Sequence, residues 1–369
     1  MRWDSLRREE EPGRKSAALE EAVGQQAGGQ QQGVLFARSA VVTRTFDTPE
    51  FRGITFHEVH ARSIISRVPE ASRVPFRWTI NPYRGCSHGC VYCFARNTHT
   101  YLEFDAGHDF DTQIVVKVNA PELLRRELRS ARWTGEHIAM GTNVDCYQRA
   151  EGRYQLMPGI ITALTEAANP FSILTKGTLI LRDIDLLARA AEVTEVGLNV
   201  SVGIIDKSLS RSLEPGTPAP DRRLAVCAAL SERGLCCGVL MGPVVPFLSD
   251  GPEQLEAAVR KIASAGAAHV SPIVLHLRPG AREWFERWLQ RSHPELTDRY
   301  RDLYRGRAYA PVAYQRQISE QVAELARKHG VGRASPAERR RLPAREGVGA
   351  SAGRASVSRT ERTVQLSLI

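Results

Sequence analysis

The sequence predicts an α/β fold, a partial (β/α)6 barrel of TIM type with a C-terminal helical extension and disordered termini. Two observations carry this expectation. From Trp78 onward, short apolar runs alternate with amphipathic stretches, each pair spanning about 30 residues. About six such pairs follow one another before a more uniformly helical region begins. Right-handed βαβ crossovers of this kind impose a parallel sheet, either curled into an open barrel or laid flat and doubly wound. Both solutions put a ligand at the carboxyl ends of the strands, where the βα loops gather.

The candidate strands are residues 78–80, 114–118, 137–140, 171–175, 196–202, 235–245 and 269–277. The amphipathic helices between them are 121–133, 154–168, 182–191, 220–233 and 252–265. Pro121 followed by Glu122, and Ser249–Asp250 ahead of Pro252, are helix start signals. Residues 76–280 therefore form the core. Residues 34–75 lead into it, with weak strand candidates at 34–38 and 53–57. Residues 281–330 read as helical, with Trp284, Phe285, Trp288 and Leu289 spaced to pack one face against the barrel. Residues 1–33, rich in Gly and Gln, and 331–369, rich in Arg, Ala, Gly and Ser, read as a disordered arm and a disordered basic tail.

Composition narrows the setting. The chain has 369 residues with 50 Lys and Arg against 41 Asp and Glu, a formal charge of +9. That balance suits a polyanionic partner such as nucleic acid, and equally a soluble protein with a basic tail. No apolar stretch reaches the roughly 18 residues a membrane span needs, and the first residues carry no apolar export signal. Seven cysteines is an odd count, and three lie within positions 86–93. This is unlike a secreted disulfide framework, so a reducing cytoplasm is expected, and the tight group is read as metal-binding.

That group is Asn81-Pro-Tyr-Arg-Gly-Cys86-Ser-His-Gly-Cys90-Val-Tyr-Cys93-Phe, spaced C-x3-C-x2-C directly after a short apolar strand. Such a loop can wrap three thiolates around one metal centre, with Gly85 and Gly89 supplying backbone freedom. Three ligands on a four-iron cubane leave one iron open. A closed zinc site would want a fourth ligand, for which His88 is the candidate. A redox C-x2-C pair would leave Cys86 without a role.

This loop, with aromatic Tyr92 before its third cysteine, resembles that of the radical S-adenosylmethionine (SAM) superfamily. The resemblance implies a [4Fe–4S] cluster on Cys86, Cys90 and Cys93, with SAM chelated to the open iron through its amino and carboxylate groups. Reductive cleavage of the sulfur–C5′ bond and hydrogen abstraction from a substrate would follow, fed by a reductant such as flavodoxin or ferredoxin. Tyr92 would lie along the adenine.

More motifs continue the resemblance from residue 78 to 277. The loop Gly141-Thr142-Asn-Val-Asp145-Cys146-Tyr-Gln follows the 137–140 strand, where the family contacts the SAM amino group. Its departure from the common Gly-Gly-Glu form is similar to the spore photoproduct lyase branch, as is Thr175-Lys176 at the end of the next strand. Lys176 is expected to pair with the SAM carboxylate, or else to cap the strand as a surface lysine. Ser201 ends a strand where the family often places a polar group near the ribose. Gly242, within Gly-Val-Leu-Met-Gly, matches a pattern in which backbone approaches the adenine. Glu214 and Arg223 match a Glu-Pro…Arg-Leu element and are read as an ion pair that shapes their loop.

Cys146 is expected to donate hydrogen or to line the substrate pocket. The hydrogen-donating cysteine of spore photoproduct lyase precedes the loop's Asp, whereas Cys146 follows Asp145, which places lyase activity proper in question. Cys227, Cys236 and Cys237 form no second ligand array and are read as packing. In the tail, 338–345 is a basic patch, either solvated or touching phosphates. Gln365–Ile369 looks like the short peptide by which bacterial repair and replication proteins bind the sliding clamp, with Ile369 in place of an aromatic.

Taken together, the resemblance implies a radical SAM enzyme, and the basic charge, the branch likeness and the clamp-like peptide lean towards DNA or another nucleic acid as substrate. Radical modification of a peptide or metabolite is the second enzymatic reading, and an iron–sulfur or zinc interaction module is the non-catalytic one.

Overall fold

Apolar runs bounded by loops form strands here because both faces of the sheet they enter are covered. The computed structural model describes residues 41–69, 72 and 74–332. The basic patch at 338–345, the peptide 365–369 and the strand candidate at 34–38 lie outside these residues.

In chain order come β1 (Val42–Thr45), β2 (Thr55–Val59), β3 (Ile65–Arg67), β4 (Trp78–Ile80), β5 (Tyr83–Arg84), α1 (His108–Thr112), β6 (Gln113–Lys117) and α2 (Ala120–Leu128). Then follow β7 (Ile138–Met140), α3 (Arg149–Tyr154), α4 (Leu156–Glu166), β8 (Phe171–Thr175), α5 (Ile184–Val193), β9 (Val196–Ser201), α6 (Lys207–Leu213) and α7 (Pro220–Glu232). The chain ends with β10 (Cys237–Val244), α8 (Pro252–Ser264), β11 (Val270–Val274), α9 (Ala281–Ser292), α10 (Thr297–Tyr304) and α11 (Val312–Lys328). A 3₁₀ segment, Phe94–Leu102, follows the cysteine loop.

The main sheet has the order β11-β10-β9-β8-β7-β4-β3. Its six strands from β4 to β11 are all parallel, while β3 pairs antiparallel at one edge. The two edge strands do not pair with each other, so this is the open, partial barrel expected from the alternation. The run at 114–118 is a correction. It forms β6, which leaves the main sheet and pairs parallel with β2 and antiparallel with β5 in a separate four-stranded sheet, β1-β2-β6-β5. The periodicity of a buried strand is the same in either sheet, so pattern alone could not assign it.

Two helix expectations shift for local reasons. The stretch 154–168 is divided at Gln155, whose φ is +49°. The buried Glu151 carboxylate accepts from Leu156 N (3.0 Å) and Met157 N (3.1 Å), so it caps a new helix, α4. Helix α8 is not capped by Ser249 or Asp250. The Gln254 side chain returns to Gly251 N (3.0 Å), while Ser249 Oγ accepts from Val245 N (2.8 Å).

The C-terminal helices close over the strand ends. Phe285, Trp288 and Leu289 are buried as their spacing predicts. Tyr304 donates to Leu275 O (2.5 Å), Tyr300 to Pro246 O (2.7 Å), and Trp288 Nε1 to Ser212 Oγ (2.8 Å). Among the described residues no helix is long and apolar enough to cross a membrane.

Two side chains hold the chain leading into β3: Asn119 brackets Ala61 with two 2.9 Å bonds, and a carboxylate follows. Glu127 of α2 accepts from Ile64 N and Ile65 N, both at 2.9 Å. Glu127→Ala orphans two backbone donors and should lower unfolding free energy by about 2 kcal/mol, read from a urea transition. An unchanged midpoint would mean that water replaces the carboxylate without loss.

Candidate functional site

After β4 the chain turns through β5 and runs as an irregular loop, residues 85–93, across the carboxyl ends of the parallel strands. Gly85 and Gly89 take φ of +78° and +60°, a region that excludes most side chains. Several elements clamp this loop. Cys86 N donates to Phe110 O (2.9 Å) and Val91 N to Leu213 O (2.9 Å). Gln148, fully buried, accepts from Ser87 N and donates to Gly85 O, both at 2.9 Å. Gln148 closes the Gly141 motif, where nothing local signals this clamp.

Opposite the loop, each of the other five parallel strands contributes its carboxyl end to one cavity. The cavity encloses about 850 Å³, its open mouth included. Cys86, Cys90, Cys93 and Tyr92 line one wall. Thr142 and Asp145 come from the β7 loop, Lys176 from the end of β8, Ser201 from β9 and Gly242 from β10. Phe94, Leu240, Ile273, Leu275 and His276 supply a largely apolar remainder. His276 and Phe94 were not foreseen; a lone His past a strand end carries no spacing signal.

Two polar networks fix these walls. Asp145 accepts from Tyr147 N (2.9 Å), Thr175 Oγ1 (2.7 Å) and Lys176 N (2.7 Å), tying the β7 and β8 loops together. His88 Nδ1 lies 3.3 Å from the same carboxylate. Thr142 Oγ1 lies 3.3 Å from Thr79 Oγ1. The second network centres on Glu214, which pairs with Arg223 of α7 and accepts from the Tyr92 hydroxyl. Lys176 Nζ is 3.9 Å from Glu214 and donates to Ser201 Oγ at 2.7 Å. Ser201 Oγ in turn donates to Gly242 O (3.0 Å).

Burial would raise the Glu214 carboxyl, but Arg223 and then Lys176 more than reverse this, so it sits below its ordinary value. Burial pushes the Cys90 thiol up to about 12 while Lys176 pulls against it. Cys86 is raised well above its ordinary value by burial and then by Asp145, and Cys93 is raised by burial. Such thiols ionise when they bind a metal centre, which supplies the missing positive charge.

The structure thus brings together Cys86, Cys90, Cys93, Tyr92, Thr142, Asp145, Lys176, Ser201 and Gly242. It does not bring Cys146 to the cavity. That thiol is fully buried beneath the loop and held protonated by burial, then by Asp145 and Glu151. Cys227 and Cys237 are buried against each other's strand and helix, whereas Cys236 is exposed. Reading Cys236 as part of the buried strand is corrected by its place just before β10 begins.

Three thiols from one loop on one wall fit a cluster that takes one thiolate on each of three irons. Among the described residues no three His, Cys, Asp or Glu side chains converge on a single ion position.

The Glu214–Arg223 pair is fully buried on both sides. Removing one partner of such a pair strands a charge, so Arg223→Gln should cost about 3–5 kcal/mol of unfolding free energy. A loss below about 1 kcal/mol would show that Glu214 is held by its other partners alone.

A family model described as the radical SAM superfamily matches residues 80–270. The uncharacterized protein Rv2578c of Mycobacterium tuberculosis (strain ATCC 25618 / H37Rv) is 52% identical over 288 residues, covering 78% of this chain and 85% of that protein. An uncharacterized protein of Methanocaldococcus jannaschii is 29% identical over 174 residues, 47% of this chain and 62% of that one. Among solved structures, a cysteine-to-serine mutant of spore photoproduct lyase superimposes with TM-score 0.57 at 14% identity, covering 75% of this chain and 80% of that one. A doubly substituted form with bound AdoMet and dinucleoside spore photoproduct gives TM-score 0.55, also at 14% identity, covering 71% and 77%.

Proposed function

The chain belongs to the radical SAM superfamily and is an enzyme of that class, and from this membership we propose that it cleaves SAM reductively and abstracts hydrogen from a nucleic-acid substrate. The observation that carries the reading is the convergence of three loop thiols, one ammonium and five strand ends on a single cavity. Cys86, Cys90 and Cys93 hold a [4Fe–4S] cluster in this reading. With such a cluster bound, these three thiolates would hold the one-electron donor that reductive SAM cleavage and substrate hydrogen abstraction require.

The side chains of this protein bind and orient. Lys176, its ammonium set by Ser201, the Gly242 carbonyl and Glu214, is the cation that would pair with the SAM carboxylate. Thr142 and the Asp145-pinned loop would hold the amino group, Ser201 the ribose, and Tyr92 and Gly242 the adenine. Tyr92 cannot swing freely, because its hydroxyl is bonded to buried Glu214. Phe94, Ile273 and Leu275 keep water from the reacting carbon. Cys146 serves the packing beneath the loop, so a hydrogen donor to any product radical lies elsewhere.

A nucleic-acid substrate is favoured by the formal charge of +9 and by likeness to a fold one of whose members holds a dinucleoside spore photoproduct. A one-electron reductant completes the system.

Anaerobic reconstitution followed by dithionite and SAM should yield 5′-deoxyadenosine, and Cys86→Ala, Cys90→Ala and Cys93→Ala should each abolish it. A well-formed cluster without any cleavage would contradict the reading. Lys176→Met should weaken SAM binding roughly ten- to hundredfold, the value of one charge-assisted contact, in equilibrium dialysis. Cys146→Ala should keep full substrate turnover; its loss would return that thiol to the chemistry. Affinity for a DNA duplex should fall steeply with salt in the chain lacking residues 333–369 as in the whole chain. Loss of binding on truncation alone would assign it to the tail.

A further inference from the structure

One charged side chain next to the cysteine loop takes no part in the cavity. Arg96, three residues after Cys93, is fully buried. Its Nε and Nη2 both donate to the Cys90 carbonyl, at 3.2 and 3.0 Å. Nη1 donates to Gly107 O at 2.7 Å, and Nη2 reaches both carboxylate oxygens of Asp111 at 3.0 and 2.9 Å. The same Cys90 carbonyl also accepts from Cys93 N at 3.2 Å, so the turn carrying two of the thiols is anchored on the guanidinium.

Aromatic rings enclose the guanidinium. The Phe110 and Trp284 centroids lie 5.2 and 4.9 Å from its central carbon. Trp284 comes from α9, so the C-terminal helices reach the 3₁₀ segment that follows the cysteine loop. A buried cation is costly, and the arrangement meets that cost with every donor directed at an acceptor. Its counter-ion is less secluded, the Asp111 side chain being 22% exposed. Two residues that merely packed would serve as well uncharged.

We propose that Arg96 is a positioning residue that sets the reduction potential of the cluster, its fixed charge behind the Cys90–Cys93 turn favouring the more negative, reduced state. This rests on the reading that Cys86, Cys90 and Cys93 hold that cluster. Nearby charge and hydrogen bonding to the ligand loop are established determinants of iron–sulfur potentials. Asp111 works against Arg96, so the two side chains have opposite effects.

The test uses the full chain, reconstituted anaerobically, with iron and sulfide content measured first and the potential then read by EPR-monitored redox titration. Arg96→Gln, which keeps polarity without charge, should shift the potential to more negative values. Arg96→Lys, which keeps charge but loses the paired bonds to Cys90, should stay near the wild type. Asp111→Asn should shift it to more positive values. A purely structural role would alter cluster content in these variants without producing opposite signs. Should Arg96→Gln fail to keep a cluster, the direction of Asp111→Asn and the retention in Arg96→Lys still decide. Unchanged potentials, or shifts of the same sign in Arg96→Gln and Asp111→Asn, would overturn the proposal. A wild-type chain that assembles no cluster would overturn the cofactor reading, and this proposal with it, before any variant is compared.

Discussion

Glu214 is a carboxylate with no access to water, and the walls of the cavity meet on it. Its partners come from three separate places: Tyr92 from the cysteine loop, Lys176 from the end of β8 and Arg223 from α7. A buried charge in this position depends on the two cations, while the Tyr92 and Ser210 hydroxyls meet its remaining lone pairs. The segment that carries it is held to the cysteine loop by backbone as well. Val91 N donates to Leu213 O, and Gly216 N to His88 O, both at 2.9 Å. A Cβ on Gly216 would stand 2.0 Å from Ser87 O, so the close pass of these two loops depends on glycine. One electrostatic hub thereby sets the thiol loop, the aromatic beside it and the ammonium opposite in fixed relation.

The parallel sheet explains why these elements meet at all. Six strands running the same way deliver six loops to one end, and those loops differ in chemistry while the strands beneath stay apolar. The thiols, the Asp145 network and the Lys176 ammonium each occupy a different loop. No local segment contains the site, and only the topology assembles it. The C-terminal helices, which pattern alone reads as packing, contribute Trp284 to the shell around Arg96 and tie Tyr300 and Tyr304 to strand-end carbonyls.

Most of this architecture was legible because its signals are local. The C-x3-C-x2-C spacing and the Thr175-Lys176 pair each sit within a few residues and fell on the cavity, and the β–α alternation repeats unit by unit along the chain. What escaped was long-range. Gln148 clamps Ser87 and Gly85 from more than sixty positions away, and Arg96 works through Asp111 and Trp284, none of which periodicity can connect. Strand β6 had the expected pattern but joined the second sheet, since pairing partners are decided by tertiary contact. Cys146 was misleading for the opposite reason. It lies in the right loop, but its side chain turns into the core beneath the cavity.

The central claim is that the cysteine loop and the strand ends facing it form one binding site for a cluster and SAM together. EPR of the anaerobically reconstituted, reduced protein, recorded with and without SAM, tests this most directly. A four-iron signal that changes on addition of SAM, and does so less readily in Lys176→Met, is the predicted result. A cluster signal indifferent to saturating SAM, or a protein that takes up zinc in place of iron and sulfide, would contradict the account.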